Sequence, residues 1–191
     1  MTRRLILAVL PLALLASSVS FAQTATDRLT PTIPESQIEP APLSSPYEFL
    51  SVATSASDFV IEAAALASAN KASASVQSVA ADLSATHTAL KAEILAAGKN
   101  DGVEIAKPAV DGEQAGLLGK LEPLKGAEFD RAYIDSQIFG HQRAIAYYRG
   151  FADQATALGA YAQKTLPKLV DDYGALIATA EGFPESEPAA Q

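Results

Sequence analysis

The stretch FDRAYIDSQIFGHQRAIAYY, residues 129–148, decides the fold. Its Phe129, Tyr133, Ile134, Gln137, His141, Ala144, Ile145 and Tyr148 recur three and four residues apart, the spacing that gathers side chains on one buried face of a helix. One imidazole, His141, stands in the middle of that face. The chain's other histidine, His87, has the same kind of place, in a stripe of Val76, Val79, Ala80, Leu83, His87, Leu90 and Ile94. Two histidines aimed into one core need partners there.

Outward from these two stripes the same period recurs twice. Residues 47–70 put Val52, Ser55, Phe59, Glu62 and Leu66 on one face of an alanine-rich helix, and residues 157–180 do so with Tyr161, Thr165, Leu169, Asp172 and Leu176. Pro167 is expected to bend the latter. Residues 71–75 form a break in which Ser73 or Ser75 can cap the next helix, and GKNDG at 98–102 stops it. The four helices thus cover about 47–70, 76–97, 129–153 and 157–180. Residues 102–127 are too long for a plain turn, and within them 112–121 fits a short amphipathic helix through Leu117, Leu118 and Leu121. Such a connection suits a strap along a bundle. The expected fold is all-α, a ferritin-like four-helix bundle with one long crossover between helices 2 and 3.

Residues 1–22 read as a secretory signal: Arg3 and Arg4, an apolar run from Leu5 to Ala16, then Ser20-Phe21-Ala22 as a cleavage site. That run is short of the roughly 20 apolar residues a spanning helix needs and is broken by Pro11, so no transmembrane segment is expected after cleavage. Thr2-Arg3-Arg4 also fits a twin-arginine signal, which leaves the export route open. Residues 23–46, rich in proline, serine and threonine, read as a disordered leader, 47–180 as the bundle domain and 181–191 as a disordered tail. The expected location is secreted or periplasmic.

The 191 residues suit one domain, and a 49% hydrophobic content is ample for one core. There is no cysteine, hence no disulfide, no lipid-attachment thiol and no thiolate chemistry. Without Arg3 and Arg4, 12 basic residues face 22 acidic ones, a mature charge near −10. Such a surface repels phosphate backbones and anionic lipid heads, which argues against nucleic acid as a partner. No phosphate-binding glycine loop and no nucleophile elbow is present.

Each long helix contributes one titratable residue to its stripe: Glu62, His87, His141 and Asp172. At 1.5 Å per residue these four can meet near mid-bundle. Two imidazoles and two carboxylates at one level are a ligand set for one zinc, iron or manganese ion. They equally form hydrogen-bonded pairs that need no metal, and in that case the histidine pKa values are expected to rise. A ferritin-type di-iron centre needs a glutamate three residues before each ligating histidine, and here Ser84 and Ile138 stand there. Tyr133, Tyr148 and Tyr173 fall near the same level. Asp130 and Asp135 read as solvated or capping charges.

These residues resemble a family of exported bacterial proteins known as domain of unknown function 4142, often described as predicted outer-membrane proteins and thought ferritin-like. The resemblance covers residues 47–180. It rests on Phe49 with the helix carrying Glu62, on His87, on Phe129-Asp130-x-x-Tyr133-Ile134 with His141, and on Leu166-Pro167-x-Leu169. The family pattern has Asp-His where this chain has Thr86-His87, a histidine at Asp172, and in many members a glutamate at Val60. It implies a fold without a reaction. The outer-membrane description finds no support in alternating barrel strands.

Two functions from different classes remain. One is a non-enzymatic periplasmic bundle, an envelope or stress-related interaction protein with an unknown protein or envelope partner, whose polar core fixes helix register. The alternative is a mononuclear metal-binding or redox protein using Glu62, His87, His141 and Asp172. The broken di-metal motif favours the first.

Overall fold

A computed structural model describes residues 32–183. They form five α-helices: α1 (Pro46–Ala69), α2 (Ala74–Asn100), α3 (Gly112–Leu121), α4 (Gly126–Phe151) and α5 (Ala157–Glu181). A single 3₁₀ turn, Glu35–Gln37, precedes them, and no strand occurs among the described residues. The four long helices follow the four apolar stripes, and α3 coincides with the short helix expected inside the long connection.

The ends are set by local chemistry. Ser45, Ser73, Asp111 and Thr156 each accept a backbone N–H of the first turn of α1, α2, α3 and α5. Asp111 does so in a full capping box with Gln114. Beyond α2, Gly102 takes φ 71°, the left-handed turn that glycine adopts without penalty. GKNDG therefore ends the helix as expected, although α2 continues through buried Gly98 to Asn100.

α1 packs along α2 and α4 along α5; α2 also meets α5, and α1 meets α3 and α4. The helix directions follow from the contacts between their ends. Ser73, before α2, donates its N–H to Asp130 in the first turns of α4 at 3.1 Å, and Gly126 N–H reaches Asn70 O at 2.9 Å. α2 and α4 therefore start at the same end. At the other end Asp101 accepts the N–H groups of Ala157 and Leu158 at 2.8 Å, capping α5 from the far side. Residues 101–125 must consequently return along the whole fold. α3 anchors that return by burying Leu117, Leu118 and Leu121.

Two expectations need correction here. Asp130, read as a solvated or capping charge, is not solvated: it is buried and accepts the Ser73 N–H, which ties α4 to the start of α2. Residues 32–45, read as part of a disordered leader, lie against α4 and α5. Ile38 is buried, Ala41 N–H reaches Ala146 O at 2.9 Å, and Tyr173 donates to Ile33 O at 2.7 Å. Arg149 forms an ion pair with Glu35 and donates to its carbonyl as well. Proline explains the extended shape, and main-chain groups make the attachment, so no apolar period advertises it. Residues 1–22, the rest of the leader and residues 184–191 lie outside the described part. α1 is long and apolar enough to cross a membrane by length and composition, yet over half of its most apolar window is buried against the other helices.

Candidate metal centre

α2, α4 and α5 bring His87, His141 and Asp172 together. One donor atom from each lies within 4.8 Å of the others, and the residues are 4%, 1% and 8% exposed. The two imidazole centroids are 5.4 Å apart with the rings at 82°. Each residue takes this place on the buried face of its helix: His87 between Leu83 and Ile94, His141 between Ile134 and Ile145 with Gln137 one turn before it, Asp172 between Leu169 and Leu176.

The fourth predicted member, Glu62, does not join them. It is exposed on α1 and lies outside the group. α1 is covered by α2, α3 and α4, so its buried arc is broad and the stripe Val52–Ser55–Phe59–Glu62–Leu66 is only one edge of it. Ser55 and Phe59 are buried, while Glu62 faces outward about 200° around the helix from buried Val60. Position 60 does face the core, and it is valine. α1 supplies one buried carboxylate, Asp58, and it is ion-paired with Lys91.

The donor atoms have few partners inside the protein. His141 Nδ1 lies 2.8 Å from Gln137 O. A carbonyl only accepts, so Nδ1 carries the proton and Nε2 keeps its lone pair, with no hydrogen-bond partner. Neither ring nitrogen of His87 has a partner. Asp172 Oδ1 accepts from Lys168, one turn earlier on α5, and Oδ2 is unpartnered. Both amide atoms of Gln137 and the Tyr133 hydroxyl are also buried without a partner. Each such atom costs about 1–3 kcal/mol when left unsatisfied.

The pairing that would raise both histidine pKa values is absent. Burial pushes His87 down to about 3, with the His141 ring and the Lys168 charge acting in the same direction. Burial lowers His141 as well, against the Gln137 carbonyl and Asp172, which favour its charged form. Both rings are therefore neutral at pH 7, the state in which imidazole ligates metal.

Of the tyrosines expected near this level, Tyr148 donates to Tyr161 and Tyr173 bonds Gln142 and Ile33, so both are engaged elsewhere. Tyr133 remains unpartnered, and burial raises its phenol pKa. Sequence reasoning passed over Lys168. The signal was its position four residues before Asp172, the spacing of an ion pair along a helix.

Two imidazoles and a carboxylate form a mixed nitrogen and oxygen set that suits zinc, iron or manganese. The Gln137 carbonyl on His141 Nδ1 and the Lys168 ammonium on Asp172 are the orienting bonds that metal ligands commonly have. Positions 84 and 138 carry no carboxylate, and the group contains three ligands, so it fits one ion and not a carboxylate-bridged pair.

The chain belongs to the family described as domain of unknown function DUF4142, whose sequence pattern matches residues 32–176. The match starts within the docked N-terminal segment and takes in all three converging residues. No curated protein and no solved structure gives a match.

Proposed function

We propose that this member of the DUF4142 family is an exported, ferritin-like four-helix bundle that holds one transition-metal ion between His87, His141 and Asp172. The observation that carries this reading is the set of buried, largely unpartnered donor atoms, two of them on neutral imidazoles, lying within 4.8 Å of one another. A metal ion would satisfy these lone pairs together, whereas the rings offer each other only an edge contact. The parallel start of α2 and α4 and the long return between them support the ferritin-like topology. The signal-like residues 1–22 support export.

A second reading keeps the cluster purely structural, within a non-enzymatic envelope protein. It is favoured by Lys168 on Asp172 and by the Gln137 carbonyl on His141, which meet part of the need for partners without a metal.

Metal analysis of protein purified from its native compartment separates the two. The metal reading expects one zinc, iron or manganese ion per chain, a fall in melting temperature with chelator, and loss of the ion in both His87→Ala and His141→Ala. Metal-free protein whose melting temperature ignores both chelator and added metal would leave the structural reading standing.

A further inference from the structure

The charge around the three ligands bears on what accompanies the ion. Two charged pairs adjoin the histidines. Lys168 and Asp172 share one end of the site, and Lys91, one turn beyond His87 on α2, is paired with Asp58. Each pair is neutral, and both imidazoles are neutral when they ligate, so a bound divalent ion adds two uncompensated positive charges to a buried region. Burying unbalanced charge in a helix core is costly. Asp172 can offset one of them. Its side chain is 11% exposed, whereas that of Lys168 is 46% exposed, so the carboxylate charge acts on the buried ion while water screens much of the ammonium at the rim. One positive charge then remains, and three protein ligands leave a tetrahedral ion one position short.

We propose that this centre binds its divalent ion together with a small inorganic anion, and that Lys168 is the residue that selects for it. The inference rests on the metal reading above. Asp172 brings the two roles together: its Oδ1 is held by Lys168 while Oδ2 is buried and unpartnered. The lysine therefore stands beside the group that contacts the ion, where its ammonium hydrogen-bonds a metal-bound anion and balances it. Lys168 is a positioning residue for the anion, and the metal ligands are His87, His141 and Asp172.

The test uses Co²⁺ as the metal probe and azide as the anion probe, read by visible absorption of the full-length protein. Expected results are a one-to-one Co²⁺ spectrum, a saturable change in its bands on adding azide, and tighter Co²⁺ binding when azide is present. Lys168→Gln should retain Co²⁺ while weakening azide about tenfold, the loss of one charge-assisted hydrogen bond. Lys168→Arg, which keeps the charge, should retain most of the azide response and guards against misreading a folding defect. A bound Co²⁺ spectrum that azide leaves unchanged overturns the anion proposal and spares the metal reading. An azide response equal in wild type and Lys168→Gln overturns the assignment to Lys168. Failure of the wild type to bind Co²⁺ overturns both.

Discussion

His87 is 4% exposed and neither ring nitrogen has a protein partner, so its protonated form has nothing to solvate it. Its folded pKa, about 3, lies below the unfolded value of about 6.5. Between those values the unfolded chain binds more protons, so stability is present above about pH 6.5 and is lost as pH falls. His141 shifts in the same direction. Metal-free protein should therefore lose up to about 1.4 kcal/mol per pH unit for each ring on acidification from pH 7 to 5, and His87→Leu should flatten the slope. Urea midpoints across that range are the measurement; a midpoint independent of pH would contradict buried neutral rings. The residues of the site were legible in the sequence in proportion to how they interrupt a stripe. His87 and Asp172 stand among apolar neighbours of their stripes, and His141 shares its stripe with one other buried polar residue, Gln137. Glu62 was placed with them because an alanine-rich helix gives a weak indication of its facing. Small residues are tolerated on any side, and α1 turned out to be covered from three directions.

Elements show a similar contrast. The long helices and α3 were readable because capping residues and apolar periods agree in them. The docked segment, residues 32–45, was not, since it is held mainly by main-chain bonds and an arginine that lies 114 residues away from Glu35. Gly150 reports on that docking. A Cβ there would stand 1.9 Å from Ala41 O, so the segment fits only because α4 has no side chain at this point. In an unobstructed helix, alanine for glycine stabilises by about 1 kcal/mol. Gly150→Ala should instead destabilise, by about 1–3 kcal/mol, as overpacking does. Thermal melts give the sign, and proteolysis should cut the variant near residue 41 sooner. The variant should keep the wild-type metal stoichiometry, because the docked segment lies outside the ligand set. A rise in melting temperature would mean that the segment is not docked there.

The whole molecule depends on residues 101–125 covering a long distance. α2 has 27 residues, about 40 Å at 1.5 Å each, and α4 restarts beside its beginning. Four residues reach at most about 14 Å. Replacing 101–125 by a four-residue turn should therefore abolish the native pairing of α2 with α4 and the ligand set with it; native helicity, a cooperative melt and retained metal binding together would refute this direction of the helices. Another consequence concerns the order in which the chain can settle. The Tyr173 hydroxyl reaches back to Ile33 across 140 residues, while Arg149 holds the neighbouring Glu35 and Ile38. At the roughly 5–20 residues per second of synthesis, residue 33 is made about 7–28 s before residue 173. The hairpin of α1 and α2 has its contacts within that interval, but the segment ahead of it does not. Its seat on α4 and α5 exists only once residue 173 has been made. What is made first is thus fastened last, and until then Arg149 and the Tyr173 hydroxyl must find other partners in water.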